Sequence, residues 1–94
     1  MSTVQLTGQL TCKTADEAAT VARYLPHHID LTRAEAGCLA FDVVPTTDPM
    51  VWNVAELFES AEAFKRHQER VTNSEWGLET KRIERNYSVQ GLPD

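Results

Sequence analysis

The chain has 94 residues, 41% of them hydrophobic and 24% charged, so it is expected to fold as one globular domain over 1–94 rather than stay disordered. Nine Lys and Arg against fourteen Asp and Glu leave a formal charge of -5, with no basic run, which argues against a nucleic-acid partner. No apolar run approaches the roughly 20 residues that cross a bilayer, and the start "MSTVQLTGQL" has no signal-peptide pattern, so a cytoplasmic protein that avoids the membrane is expected.

The stretch "VQLTGQLTC", 4 to 12, alternates with period two and predicts a strand, in which Gly8 marks a bulge or a close backbone approach. Thr14 and Glu17 then have capping-box spacing and open a helix. Its apolar stripe is Ala18, Val21, Ala22, Leu25, Ile29 and Thr32; Pro26 should kink it or start a second segment, and Gly37 is a plausible stop. "CLAFDVV", 38 to 44, and "VWNVAELF", 51 to 58, are strands joined through the prolines and Asp of "PTTDPM", which makes them a hairpin. Ser60 is a good N-cap for a second helix running to about Val71, with Glu62 in its first turn. A polar connection follows, with room for a short helix after Ser74, and "IERNYSV", 83 to 89, is the last strand.

Strand, helix, strand, strand, helix, strand is the order of the α+β ferredoxin-like split βαβ fold, with both helices on one face of an antiparallel sheet. The other face needs a cover, and an isologous homodimer stacking sheet on sheet is the simplest one.

Two residues break the pattern. On the second helix, Ala63, Phe64, His67 and Val71 share one side, while Glu62, Lys65, Arg66, Glu69 and Arg70 share the other, so His67 points at the core. On the third strand, Glu56 lies between Val54 and Phe58 on the face that also carries Trp52. A buried carboxylate needs a donor or a solvated cavity. If that face looks at the helices, Glu56 and His67 can share one volume as a proton-transfer unit. The competing reading is a hydrogen-bonded core histidine and a buried ion pair. Trp52, Trp76 and Phe58 read first as core, His28 as core or pocket rim, and Arg33 with Glu35 as a surface or interface ion pair.

No Cys, His and carboxylate cluster has metal-ligand spacing, so no metal is expected. Cys12 and Cys38, with no CxxC between them, are expected to be reduced and buried in strands.

The pieces "TRAEAGCLAFDV", "VWNVAELF" and "SAEAFKRHQ", in this order and spacing, resemble the antibiotic biosynthesis monooxygenase domain family, including its quinol monooxygenase type. Ala36 stands where such members usually have Pro. The resemblance implies a dimeric α+β barrel of two ferredoxin-like sheets, with a pocket in each subunit between sheet and helices. It implies oxygenation of a small quinol, phenolic or polyketide-like aromatic compound by O2 without a cofactor, the deprotonated substrate passing an electron to oxygen. His67 matches the family's helix histidine. His67 would then be base or oxyanion partner and Glu56 would orient or charge-balance it. Trp52, Phe58, Phe41 and Trp76 would shape the pocket, and His28 and Arg33 are further candidates for substrate contact. Haem is disfavoured, because haem-degrading members carry a Trp near the end of the third strand, where this chain has Phe58, and a first-strand Asn that it lacks. The alternatives are an isomerase of a small polar metabolite and a non-catalytic ligand-binding or stress protein, since fold does not fix reaction.

Overall fold

The computed structural model describes residues 2–93. Along the chain run β1 (Val4–Thr11), α1 (Ala15–Arg33), β2 (Cys38–Pro45), β3 (Val51–Phe58), α2 (Ala61–Thr72), α3 (Glu75–Glu79) and β4 (Glu84–Gln90). The strands form one antiparallel sheet in the order β2-β3-β1-β4. This is the α+β, ferredoxin-like arrangement that the element order predicts, with α3 added before the last strand.

Local chemistry sets the boundaries. Thr14 Oγ1 accepts from the Glu17 amide at 3.1 Å, and Glu17 Oε1 accepts from the Lys13 amide at 2.8 Å, so the two side chains close the start of α1 together. Ser60 Oγ caps α2 through the Ala63 amide, and Ser74 Oγ caps α3 through the Gly77 amide. The β2–β3 turn is held by Asp48, whose side chain accepts from the Met50 amide and whose carbonyl accepts from the Val51 amide.

Pro26 does not divide α1, which runs unbroken past it to Arg33. The proline removes the donor that the Ala22 carbonyl would have met, but both residues are exposed and water can replace it. The buried stripe of α1 is Val21, Leu25, His28 and Thr32. Ala22, expected inside, is exposed, and His28 takes an inward place instead. The helix ends at Arg33 rather than at Gly37.

The inner face of the sheet presents Val4, Leu6 and Leu10, Phe41 and Val43, and Trp52, Val54 and Phe58 to Val21, Leu25, Ala63, Phe64 and Trp76. Burying each of the larger side chains contributes roughly 1.5–3 kcal/mol. The outer face is mixed: Gln5, Thr7, Gln9 and Asn53 lie exposed beside Ala40, Val44 and Ala55.

Gly8 marks a close approach, not a bulge. Its φ is +154°, and a Cβ there would collide with the Asn86 carbonyl oxygen of β4. The irregularity in the sheet lies instead in β2, between Cys38 and Ala40. Both cysteines are free; Cys12 is buried just past β1, whereas Cys38, expected to be buried, is only half-buried. Among the described residues no helix is long and apolar enough to cross a membrane.

Candidate functional site

Helical spacing turns His67 inward with Ala63 and Phe64, and its side chain is almost sealed. Its Nδ1 lies 2.7 Å from Glu35 Oε1 and 3.1 Å from Oε2. Glu35 follows α1 in the turn to β2, and its Oε1 also accepts from Arg70 Nε at 3.1 Å. Both Glu35 oxygens therefore act as acceptors, so Nδ1 of His67 carries the hydrogen and Nε2 is left with its lone pair. Arg70 Nη2 continues the cluster to Thr32 Oγ1 at 3.0 Å. The imidazole packs against Phe58 at 4.8 Å and Phe41 at 5.9 Å between centroids.

Burial lowers the His67 pKa, and the nearby Arg70 charge adds to this. The Glu35 bond opposes it without overcoming it, so the ring is neutral at neutral pH. Nε2 stands 3.7 Å from Glu56 Oε1, too far for a hydrogen bond. The hydrogen-bond partner of the His67 ring is thus Glu35, while Glu56, expected to orient or charge-balance it, stands near Nε2 without bonding to it. Nor do Arg33 and Glu35 pair with each other. Arg33 donates to the Phe41 carbonyl at 3.1 and 2.9 Å and pairs with Asp42 at 3.2 Å on the surface.

Glu56 and His67 share a cavity of about 120 Å³ between the sheet and the helices. His28, Arg85, Tyr87 and Gln68 add polar groups to its lining, and Leu6, Leu10, Phe41, Val43, Val54, Val71 and Trp76 supply the apolar wall. Two buried polar atoms here have no protein partner: Oε1 of Glu56 and Nδ1 of His28. Most buried polar groups in folded proteins are satisfied, so two orphans on one cavity mark a place where water or ligand polar atoms belong.

The cavity holds its titratable groups away from their ordinary protonation. Burial, helped by the Glu35 charge and opposed by Arg85, pushes Glu56 up to about 7. Burial first, then the charge His67 carries when it is protonated, and then the charges of Arg70 and Arg85, bring His28 down to about 3. Tyr87 is pushed up to about 12, mainly by burial, so its phenol keeps its proton. Arg85 is fixed by bonds to the Thr80 carbonyl at 2.8 Å and the Thr80 hydroxyl at 2.7 Å. The arrangement offers a neutral imidazole base, a carboxyl poised near neutrality, and a fixed cation within reach of one volume.

Of the residues singled out from sequence, the fold brings His67, Glu56, His28, Phe41 and Trp76 around this cavity. Phe58 backs the His67 ring without lining the cavity. Trp52 is core at the far end of β3, paired with Leu10 and Pro45, and does not reach it. Arg33 also stays outside. Sequence reasoning missed Glu35, Arg85 and Tyr87. The last two sit on the inward phase of an alternating strand, a signal that was available; Glu35 has no comparable local pattern. A wider depression of about 1020 Å³ lies between residues 91–93 and the start of α2, but it is open and none of its lining residues is buried. Among the described residues no group of three or more His, Cys, Asp or Glu is placed to hold one metal ion.

A family model described as antibiotic biosynthesis monooxygenase matches residues 7–74. Among solved structures, Rv0793 from Mycobacterium tuberculosis is 21% identical with a TM-score of 0.74, over 99% of this chain and 97% of that one. PA3566 from Pseudomonas aeruginosa is 25% identical with a TM-score of 0.70, over 98% and 93%. MupZ from Pseudomonas fluorescens is 17% identical with a TM-score of 0.78, over 97% of this chain and 70% of that one. No curated protein sequence matches the chain.

Proposed function

Since the chain belongs to the antibiotic biosynthesis monooxygenase family, we propose that it oxygenates a small phenol or quinol with O2, using its own side chains and the substrate's electrons. The observation that carries this reading is the neutral His67, held through Nδ1 by Glu35 with Nε2 turned toward Glu56 in a small cavity of mixed polar and apolar lining. His67 takes the proton of the substrate hydroxyl through Nε2. The imidazolium so formed is stabilised by Glu35, as the base of a catalytic pair is by its carboxylate.

The phenolate then gives one electron to O2, and the radical pair combines at a ring carbon. Loss of water from the resulting hydroperoxide leaves a carbonyl, so one oxygen atom enters the product and the other leaves as water. Glu56, in its protonated form, donates to developing negative charge on oxygen, and Arg85 adds a fixed positive field. The apolar wall excludes bulk water from the reactive intermediates.

Two features weigh against the alternatives. For the isomerase of a small polar metabolite, a phosphorylated or acidic substrate would call for several cations around Arg33, and Arg33 stays outside the cavity. A purely structural His67 would be sealed from any void, whereas it lines one.

The test is oxygen uptake over a panel of hydroquinones with a metal chelator present, repeated with His67→Ala. A positioned base is worth about a hundredfold to ten-thousandfold in rate. Turnover per folded molecule should collapse by that factor, beyond any loss of thermal stability from removing a buried, hydrogen-bonded ring. Activity per folded molecule that survives the substitution would show His67 to be only a core residue. We further place a second copy of the chain on the outer face of the sheet, as a homodimer; a monomer mass by sedimentation at micromolar concentration would refute it.

A further inference from the structure

The cavity beside His67 is separated from a second space by two rings. His28 and Trp76 stack almost parallel, 4.7 Å apart and inclined by 7°, and both are buried. Both also line an open groove of about 440 Å³ on the far side, bounded by Tyr24, His27, Leu31 and Arg70. The same pair is therefore the wall between a small, partly open chamber of about 120 Å³ and a larger groove.

Size gives the wall a meaning. An apolar cavity of roughly 150 Å³ holds one benzene ring in a well-characterised case. The chamber here is smaller than that, so with the stack in place it accepts at most one six-membered ring. The wall is also built to stay in place. Trp76 sits on α3, whose start is fixed by Ser74 and whose end is fixed by the Thr80 hydroxyl bonded to the Trp76 carbonyl at 2.6 Å. Gly77 lies so close to the Val71 carbonyl oxygen that a Cβ there would collide with it. His28 is neutral, so the stack carries no charge that would draw water between the rings. Its Nδ1 is buried without a protein partner, on a residue that lines the chamber.

We propose that the His28–Trp76 stack determines substrate size: it limits the site to single-ring phenols and hydroquinones, and removing either ring joins chamber to groove and admits fused bicyclic substrates. This rests on the phenol or quinol reading above for the ligand's chemistry, but it concerns binding and not oxygen. The ligand enters with its hydroxyl toward His67 and Glu56 and its ring edge against the stack. A second fused ring would have to occupy the space the stack fills.

The experiment is anaerobic calorimetric titration of wild type, Trp76→Ala and His28→Ala with phenol and with 1-naphthol. Near-ultraviolet circular dichroism confirms that each variant is folded. Wild type should favour phenol over 1-naphthol by at least about tenfold, the scale on which a close-fitting apolar pocket discriminates. Either folded variant should erase or invert that ratio. Equal wild-type affinity for the two ligands, no binding of either, or an unchanged ratio in a folded variant would overturn the proposal. If neither variant folds, the wild-type ratio decides alone. Size-selective binding without oxygen uptake would refute the oxygenase reading and leave the size wall standing.

Discussion

Replacing Glu56 with Gln should make the protein more stable at alkaline pH, although the substitution removes a charge and fills no void. In the folded chain Glu56 is pushed from 4.5 up to about 7, chiefly by burial. Between those two values the native state holds a proton that the unfolded chain has released. The stability associated with that proton is complete below 4.5 and is lost as the pH rises to about 7. One pKa unit corresponds to about 1.4 kcal/mol, so the full loss is about 3 kcal/mol. At about pH 5 less than about 1 kcal/mol of it has been lost, and at about pH 8 nearly all of it. Gln keeps the shape and a donor but does not titrate. The gap in unfolding free energy, Glu56→Gln minus wild type, should therefore widen by about 2–3 kcal/mol between those two pH values. His28 and His67, whose pKa values are lowered, give the opposite slope as pH falls below 6.5, but they are common to both proteins and cancel in the difference. Urea titrations at fixed protein concentration measure the gap. Parallel stability curves for the two proteins would refute the claim that Glu56 is buried as an acid.

Glu35→Gln should lower turnover on the order of a hundredfold by loosening the His67 ring. It should also move the acid limb of the kcat/KM profile to lower pH, because Glu35 is what raises the His67 pKa; an unmoved limb would deny Glu35 its positioning role. Gly8→Ala should cost about 1–3 kcal/mol, since the new methyl meets the Asn86 carbonyl, and a neutral result in thermal unfolding would show that β4 can yield there. Thiol labelling of the native protein should reach half-buried Cys38 before buried Cys12, and the reverse order would contradict this burial pattern.

The elements that could be read from sequence are those whose side chains repeat. β3 alternates over its whole length, and its inward phase put Glu56 on the correct face. α2 repeats at helical spacing and placed His67 inward with Phe64. His28 was harder, because the stripe read through Ala22 and Ile29 differs by one position from the stripe that packs, and Pro26 obscured the continuity of the helix. Trp76 sits on five helical residues, too few to establish a period. Glu35 could not be found by any local rule. It lies in a turn, and its meaning comes from a contact with His67, 32 positions away, that exists only once α1 and α2 have packed. Arg33 misled for a related reason: a cation beside a helix end reads equally well as site or surface, and its choice of the Phe41 carbonyl and Asp42 is made by the path of β2.

The strand order also bears on when the chamber comes into being. β1, the first strand, is a central one, and its partner on one side is β4, the last, with Thr7 opposite Ser88. A contact between opposite ends of a chain forms late, because the intervening loop must be closed before the pairing gives any return. The β2–β3 hairpin, by contrast, closes over a short turn. Arg85 and Tyr87 arrive with β4, so the floor of the chamber is laid last. During synthesis, the nascent chain would leave the edge of β1 unpaired, and the cavity beside Glu56 without part of its lining, until β4 has left the ribosome. A carboxylate that is costly to bury then keeps some access to water while the helices dock, and loses it only when Arg85 and Tyr87 complete the lining of the cavity.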